Sequence, residues 1–268
     1  MKRLAVLLYG VVSYSVFFGT FLYLIGFVGN LFVPKSVDGT PAVPLGQAIL
    51  INTGLILLFG LQHSIMARQG FKRWWTKFVP RSIERSTYLL FTCAALAIMF
   101  VFWQPMGGVV WTIENGFVKG ILFAAFALGW VIVLVSSFLI NHFDLFGLRQ
   151  TWLYFRGQPY THLNFSTPFL YQFVRHPLYF GLILGFWSAP VMTVTHLFFA
   201  LTLTIYIVSA VRLEEKDLVA FHGERYRAYR RAVPLLIPAL FRNPVKETSY
   251  QTILKSAKQE ENTGEAFL

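Results

Sequence analysis

Apolar residues in this chain come in long blocks rather than in alternation. Near-continuous apolar runs cover residues 5–30, 46–66, 86–104, 118–140 and 193–212. Each is close to the roughly 20 residues that a helix needs to cross a bilayer. Lipid offers no partner to an open backbone, so such blocks predict helices, whose hydrogen bonds close within the segment. A sixth run, 176–190, holds only about 15 residues, opens on Pro177 and reaches Pro190, where the chain turns. It is expected to pair with 193–212 as a hairpin. The pattern predicts an all-α, polytopic integral membrane bundle of five to six membrane helices, the last two forming that hairpin. One domain is expected over 1–245, with a polar tail over 246–268 and the apolar patch Leu235–Phe241 lying on the membrane surface.

Charge sets the expected orientation. The loop 67–85 carries Arg68, Lys72, Arg73, Lys77, Arg81 and Arg85 against the single acid Glu84. Across the membrane, 34–45 has only Lys35, and 105–117 has no basic residue. Basic loops stay inside. Lys2, Arg3, the 67–85 loop, the 141–175 segment and the tail are therefore expected on the cytoplasmic side, with both termini cytoplasmic. Trp74, Trp75, Trp103 and Trp111 fall near run ends, where interfacial aromatics belong.

Composition agrees: 56% of residues are hydrophobic and 13% charged, against about a quarter charged in soluble domains. The net charge of +11 reads as inside-positive loops and contact with membrane lipid, not as a nucleic-acid footprint. Met1-Lys2-Arg3 leads into a run too long for a signal peptide and followed by no small-residue cleavage site, so it reads as an uncleaved first span. The one cysteine, Cys93, allows neither an intrachain disulfide nor a thiolate zinc site. No nucleotide-binding glycine fingerprint, phosphate loop or zinc-protease motif is present. His63, His142 and His176 lack the spacing of a compact metal motif, so no metal is expected.

The expected topology brings unusual polar residues to one level. Gln62-His63-Ser64 ends the second run, Asn141-His142-Phe143-Asp144 follows the fourth, Arg175-His176 opens the hairpin, and Arg212, Glu214 and Glu215 close it. Ionisable groups at membrane depth are costly and mark functional sites. His196 falls near the opposite face.

Two motifs flank the hairpin: Arg175-His176-Pro177-x-Tyr179-x-Gly181, and Glu214-Glu215-x-x-Leu218-x-x-x-x-Gly223-x-x-Tyr226-x-x-Tyr229-x-x-x-Val233-Pro234. Together they resemble the isoprenylcysteine carboxyl methyltransferase superfamily of integral membrane enzymes. Upstream, Gly60-Leu61-Gln62-His63-Ser64-Ile65-Met66-Ala67-Arg68, Ile83-Glu84-Arg85-Ser86-Thr87-Tyr88 and the stretch from Asn141 to Gln150 resemble its bacterial methanethiol S-methyltransferase branch. NnrU-like proteins share parts of the pattern. The resemblance implies S-adenosylmethionine as cofactor, with Arg175, His176, Pro177, Tyr179 and Gly181 lining its pocket and Glu214 or Glu215 contributing from the return helix. Arginine and glutamate complement the cofactor's carboxylate and ammonium, and tyrosine can face its sulfonium.

The reaction the resemblance implies is methylation of methanethiol to dimethyl sulfide. The nucleophile is the thiolate, so the enzyme must take a proton and place the sulfur in line. His63 and His142 are the candidate bases or thiolate orienters, with Asp144 a candidate to orient one of them. The rival readings are another methyltransferase of the isoprenylcysteine type, a nicotinamide-dependent reductase of the sterol-reductase type, and a non-enzymatic membrane carrier or assembly factor.

Overall fold

The computed structural model describes residues 1–161, 163 and 165–238. In chain order the elements are α1 (Lys2–Gly29), α2 (Leu45–Ala67), α3 (Gln69–Trp75), α4 (Arg81–Phe102), β1 (Val109–Thr112), α5 (Gly116–Leu139), α6 (His142–Leu145) and α7 (Leu148–Phe155). They continue with α8 (Pro177–Trp187), β2 (Val191–Thr193), α9 (Val194–His222) and α10 (Glu224–Ala232). Five of them, α1, α2, α4, α5 and α9, are long and apolar enough to cross a membrane. The expected tail 246–268, His162 and residues 239–241 of the apolar patch lie outside the described residues.

Local chemistry sets the helix ends. The Asn115 side chain accepts from the backbone N–H groups of Phe117 and Val118 to start α5, and the Thr193 hydroxyl accepts from His196 N–H to start α9. Pro44 and Pro80 sit at the N-caps of α2 and α4, and Pro177 is the first residue of α8, where its missing N–H leaves no helix bond unmade.

The short run resolves into an 11-residue helix, α8, about 16 Å long at 1.5 Å per residue. That is roughly half of a 30 Å hydrocarbon core. The extended segment after it completes the course of the chain. β2 pairs antiparallel with β1, Val109 opposite Thr193 and Thr112 opposite Val191, so the non-helical backbone finds partners. α9 has 29 residues, about 43 Å. That is more than a core of about 30 Å requires, and Glu214 and Glu215 are the 21st and 22nd residues of this helix.

α8 lies against α5 at very short range. A Cβ on Gly181 would fall 2.6 Å from the Gly129 carbonyl oxygen, and one on Gly129 would fall 2.7 Å from that of Gly181. The bare backbones make this approach possible. Trp187 Nε1 donates to Thr204 Oγ1 at 3.0 Å, which closes the α8–α9 hairpin.

The apolar core holds Phe27, Met99, Trp103, Phe126, Trp130 and Phe199 among others. Trp103 lies at the end of α4, where it is fully buried and its indole N–H donates to the Val37 carbonyl. Leu235 and Leu236 are partly buried against this core, while Ile237 of the same patch is exposed. The backbone explains why: Arg175 N–H donates to Pro234 O and His176 N–H to Leu235 O, tying that segment to the start of α8. At the end remote from Glu214, the buried His196 donates through Nε2 to Phe186 O, and Asp38 takes hydrogen bonds from Thr193 and Asn30. Burial works against the Asp38 charge, but the His196 ring beside it and the bonds from Thr193 and Asn30 prevail and hold its carboxyl below the usual range.

Candidate active site

The two adjacent glutamates of α9 have different environments. Glu215 is buried, and its Oε1 accepts from Arg175 Nε at 2.6 Å, His176 Nε2 at 3.3 Å and the Tyr226 hydroxyl at 3.2 Å. Arg175 also donates to the carbonyls of Arg230, at 2.8 Å, and Val233. Both side chains of this pair are about one-tenth exposed, 9% and 10%. The group is a latch that fixes the start of α8 to α9 and α10. It accounts for the second motif. Gly223 turns the chain at φ +60°, and Tyr226, Tyr229 and Val233 fill a small cluster of their own. Burial, and then the Glu215 charge, push the Tyr226 phenol far above its ordinary range, so it remains a donor.

Glu214 points elsewhere. Its Oε2 accepts from the Tyr179 hydroxyl at 2.8 Å. Its charge is also felt at Tyr88 on α4, Tyr171 before α8 and Tyr206 on α9. Tyr206 bonds Ser64 of α2 at 3.1 Å and lies over Gly60. One tyrosine thus bonds this carboxylate, and three more, from segments far apart in the chain, lie within reach of its charge.

His63 belongs to this group. The Tyr88 hydroxyl lies 2.9 Å from its Nδ1 and 3.0 Å from its Nε2, and Thr92 Oγ1 lies 3.3 Å from Nδ1. The Arg85 guanidinium sits 5.7 Å from the centre of the Tyr88 ring, donates to Leu145 O, and acts on both His63 and Tyr88.

His142 is placed apart from His63, in its own network. Ser137 Oγ gives its proton to Leu134 O at 2.6 Å, so it receives the Nδ1–H of His142 at 2.8 Å. Nε2 is then the unprotonated nitrogen, and the Tyr14 hydroxyl donates to it at 2.7 Å. Phe138 stacks on the imidazole with ring centres 4.2 Å apart. Burial lowers the His142 pKa, which keeps the ring neutral.

Asp144 meets neither histidine in these contacts. It pairs with Arg149 at 2.8 Å and accepts from Tyr160 at 3.3 Å, and so braces α6 against α7. Gly181 faces α5, not the tyrosines, and Pro177 begins the helix that carries Tyr179. Among the described residues no group of three or more metal-ligating side chains occurs.

Sequence reasoning passed over Tyr88, Tyr171, Tyr206, Tyr14 and Ser137. It also counted Arg85 with the topology charges. The signal available was the Glu84-Arg85-Ser86-Thr87-Tyr88 string within a matched segment; the other residues have no local pattern.

The arrangement can do three things chemically. A half-paired carboxylate among aromatic faces attracts a cation. A nearby guanidinium offers a partner to a carboxylate. A neutral, oriented imidazole accepts a proton.

Residues 69–233 match a family described as a protein of unknown function (DUF1295). Methanethiol S-methyltransferase of Crocosphaera subtropica is 56% identical over 238 residues, 89% of this chain and 93% of the relative. The protein of that name from Mycobacterium tuberculosis is 50% identical over 238 residues, 89% and 98% of the two chains. Nurim of Bos taurus is 28% identical over 207 residues, 73% of this chain and 79% of the relative. No solved structure matches.

Proposed function

We propose, from the premise that this chain belongs to the methanethiol S-methyltransferase family, that it transfers a methyl group from S-adenosylmethionine to methanethiol. Identity of about one half across nine-tenths of the chain carries the reading. The Glu214 site supports it. S-adenosylmethionine, when bound, would supply a sulfonium methyl group; a thiolate that bonds to this carbon becomes dimethyl sulfide as the sulfonium S–CH3 bond breaks and S-adenosylhomocysteine leaves. A cationic ligand fits the donor set: Glu214 has a carboxylate oxygen beyond the one that Tyr179 occupies. Tyr88, Tyr171 and Tyr206 supply aromatic faces for a sulfonium or an adenine.

Arg85 takes the role first expected of Arg175, pairing with the ligand's carboxylate, because the Arg175 guanidinium is spent on Glu215 and two carbonyls. Arg175, His176 and Glu215 act one layer out, holding Tyr179 and Glu214 in place. Pro177 and Gly181 set where α8 starts and how closely it packs. His63 or His142 takes the thiol proton, and general-base help of this kind contributes about 10²–10⁴-fold. Asp144 serves as a brace for the His142 segment. The leaving group is a neutral thioether and needs no acid. The site faces the cytoplasm of the inner membrane, with both termini on that side.

The test is headspace mass spectrometry over purified protein, S-adenosylmethionine and a panel of thiols. Dimethyl sulfide from methanethiol is expected. A protein that binds the cofactor yet methylates only a prenylcysteine carboxylate overturns the substrate assignment.

A further inference from the structure

A small recess opens between α1 and α5 and reaches His142, one of the two candidate bases. Phe17 and Phe21 of α1 and Val133 and Leu134 of α5 form its walls, and Ser137 and His142 form its one polar end. Phe18 and Leu134 at the rim are 42% and 38% exposed. Both lie within candidate spans, so in a bilayer the mouth meets lipid, not water. Phe146 also lines the recess, with its ring 4.0 Å from that of Phe17.

The polar end is ordered. The chain Tyr14 O–H to His142 Nε2, His142 Nδ1–H to Ser137 Oγ, and Ser137 O–H to Leu134 O runs in one direction only. It presents a basic nitrogen already carrying a hydrogen-bonded phenol. The recess lies on the α5 side of α8, where Val133 Cγ2 is 3.0 Å from the position of a Gly181 Cβ, while Tyr179, two residues away and so on the other face of the helix, meets Glu214. Tyr171, which feels the Glu214 charge, donates to the carbonyl of Ser136, the neighbour of Ser137.

Resting on the methyl-transfer reading, we propose that this recess is the binding and activation site for the thiol, entered from the bilayer, with Tyr14 relaying its proton to His142. A molecule of two heavy atoms, one methyl and one sulfur, matches a small cleft walled by aromatic rings, which also favour sulfur contacts. Methanethiol partitions into lipid, so a mouth between two spans meets it where it is concentrated. The S–H bond breaks and its proton passes to the Tyr14 oxygen as the Tyr14 proton passes to His142 Nε2. The products are methanethiolate, a neutral phenol and an imidazolium whose Nδ1–H still reaches Ser137.

Two variants test this. Leu134→Trp fills the mouth from a position exposed on the bundle, and Tyr14→Phe removes one hydroxyl. Leu134→Trp should raise KM for methanethiol by about tenfold or more and leave the equilibrium affinity for S-adenosylmethionine unchanged. Tyr14→Phe should lower kcat by at least about 10²-fold with little change in KM. A third measurement needs no catalysis: the partition of methanethiol from headspace into protein-containing micelles, without methyl donor, should fall in Leu134→Trp. If both KM and this partition stay at the wild-type value, the recess does not hold the thiol, whether or not a lipid chain fills it. If wild type takes up methanethiol in a Leu134-dependent way but makes no dimethyl sulfide, the site stands and the methyl-transfer reading fails. A Tyr14→Phe variant with wild-type kcat overturns the relay.

Discussion

Glu214→Gln and Glu215→Gln remove one charge each from adjacent positions, and the structure predicts opposite consequences. Glu214 has one hydrogen bond, from Tyr179, and an amide oxygen still accepts it. What is lost is charge facing a cationic ligand. A hydrogen bond to a charged group is worth about 1.5–3 kcal/mol and a neutral one about 0.5–1.5, so the loss is about 1–1.5 kcal/mol. That weakens S-adenosylmethionine binding about tenfold, with the folded state nearly unaffected. Glu215 is buried with the Arg175 guanidinium, and both side chains are about one-tenth exposed. Neutralising it strands a buried cation, a change that typically costs about 3–5 kcal/mol. The low end is expected here, because Arg175 keeps its bonds to the Arg230 and Val233 carbonyls. Cofactor affinity by equilibrium binding in detergent and the thermal unfolding midpoint, measured on both variants, give a two-by-two result. Affinity should fall only for Glu214→Gln, and the midpoint chiefly for Glu215→Gln. If Glu215→Gln loses affinity with an unchanged midpoint, while Glu214→Gln binds as wild type, the inward glutamate has been misassigned.

Three further expectations are independent of that pair. Gly181→Leu drives a side chain into the Gly129 carbonyl, an overpacking that should cost about 1–3 kcal/mol and lower the unfolding midpoint even without ligand; a variant as stable as wild type refutes the close α5–α8 packing. Burial holds the folded-state pKa of His142 below its unfolded value of 6.5, so the penalty is absent above pH 6.5 and grows as pH falls towards the folded pKa. His142→Gln should therefore lose less stability than wild type between pH 7 and pH 5, measured as the difference in midpoint; parallel curves refute the burial argument. A reporter fused after Leu268 should be active only in its cytoplasmic form, and activity outside the cell reverses the topology.

The apolar blocks by themselves determined the membrane class and the helices. The five long helices of the structure lie where the long runs lie, because a span's hydrogen bonds close within the segment and its length answers only to bilayer thickness. The two motifs at 175–181 and 214–234 were legible for the same reason: latch residues on adjoining turns repeat at short, fixed spacing. Other features were decided only in three dimensions. The short run required a strand pairing between residues about 80 positions apart, Val109 with Thr193, which no local pattern records. Which of two neighbouring glutamates faces inward depends on helix rotation, about 100° per residue, and that rotation is set by packing against α2, α8 and α10. Arg175 carries the same charge whether it meets a ligand or a carboxylate 40 residues on, and only the fold brought Glu215 within 2.6 Å of it. Tyr88 and Tyr206 near Glu214, and Tyr14 against His142 across 128 residues, are single tyrosines within apolar runs. Their sequence signature is that of core residues, and tertiary packing alone turned their hydroxyls towards common partners.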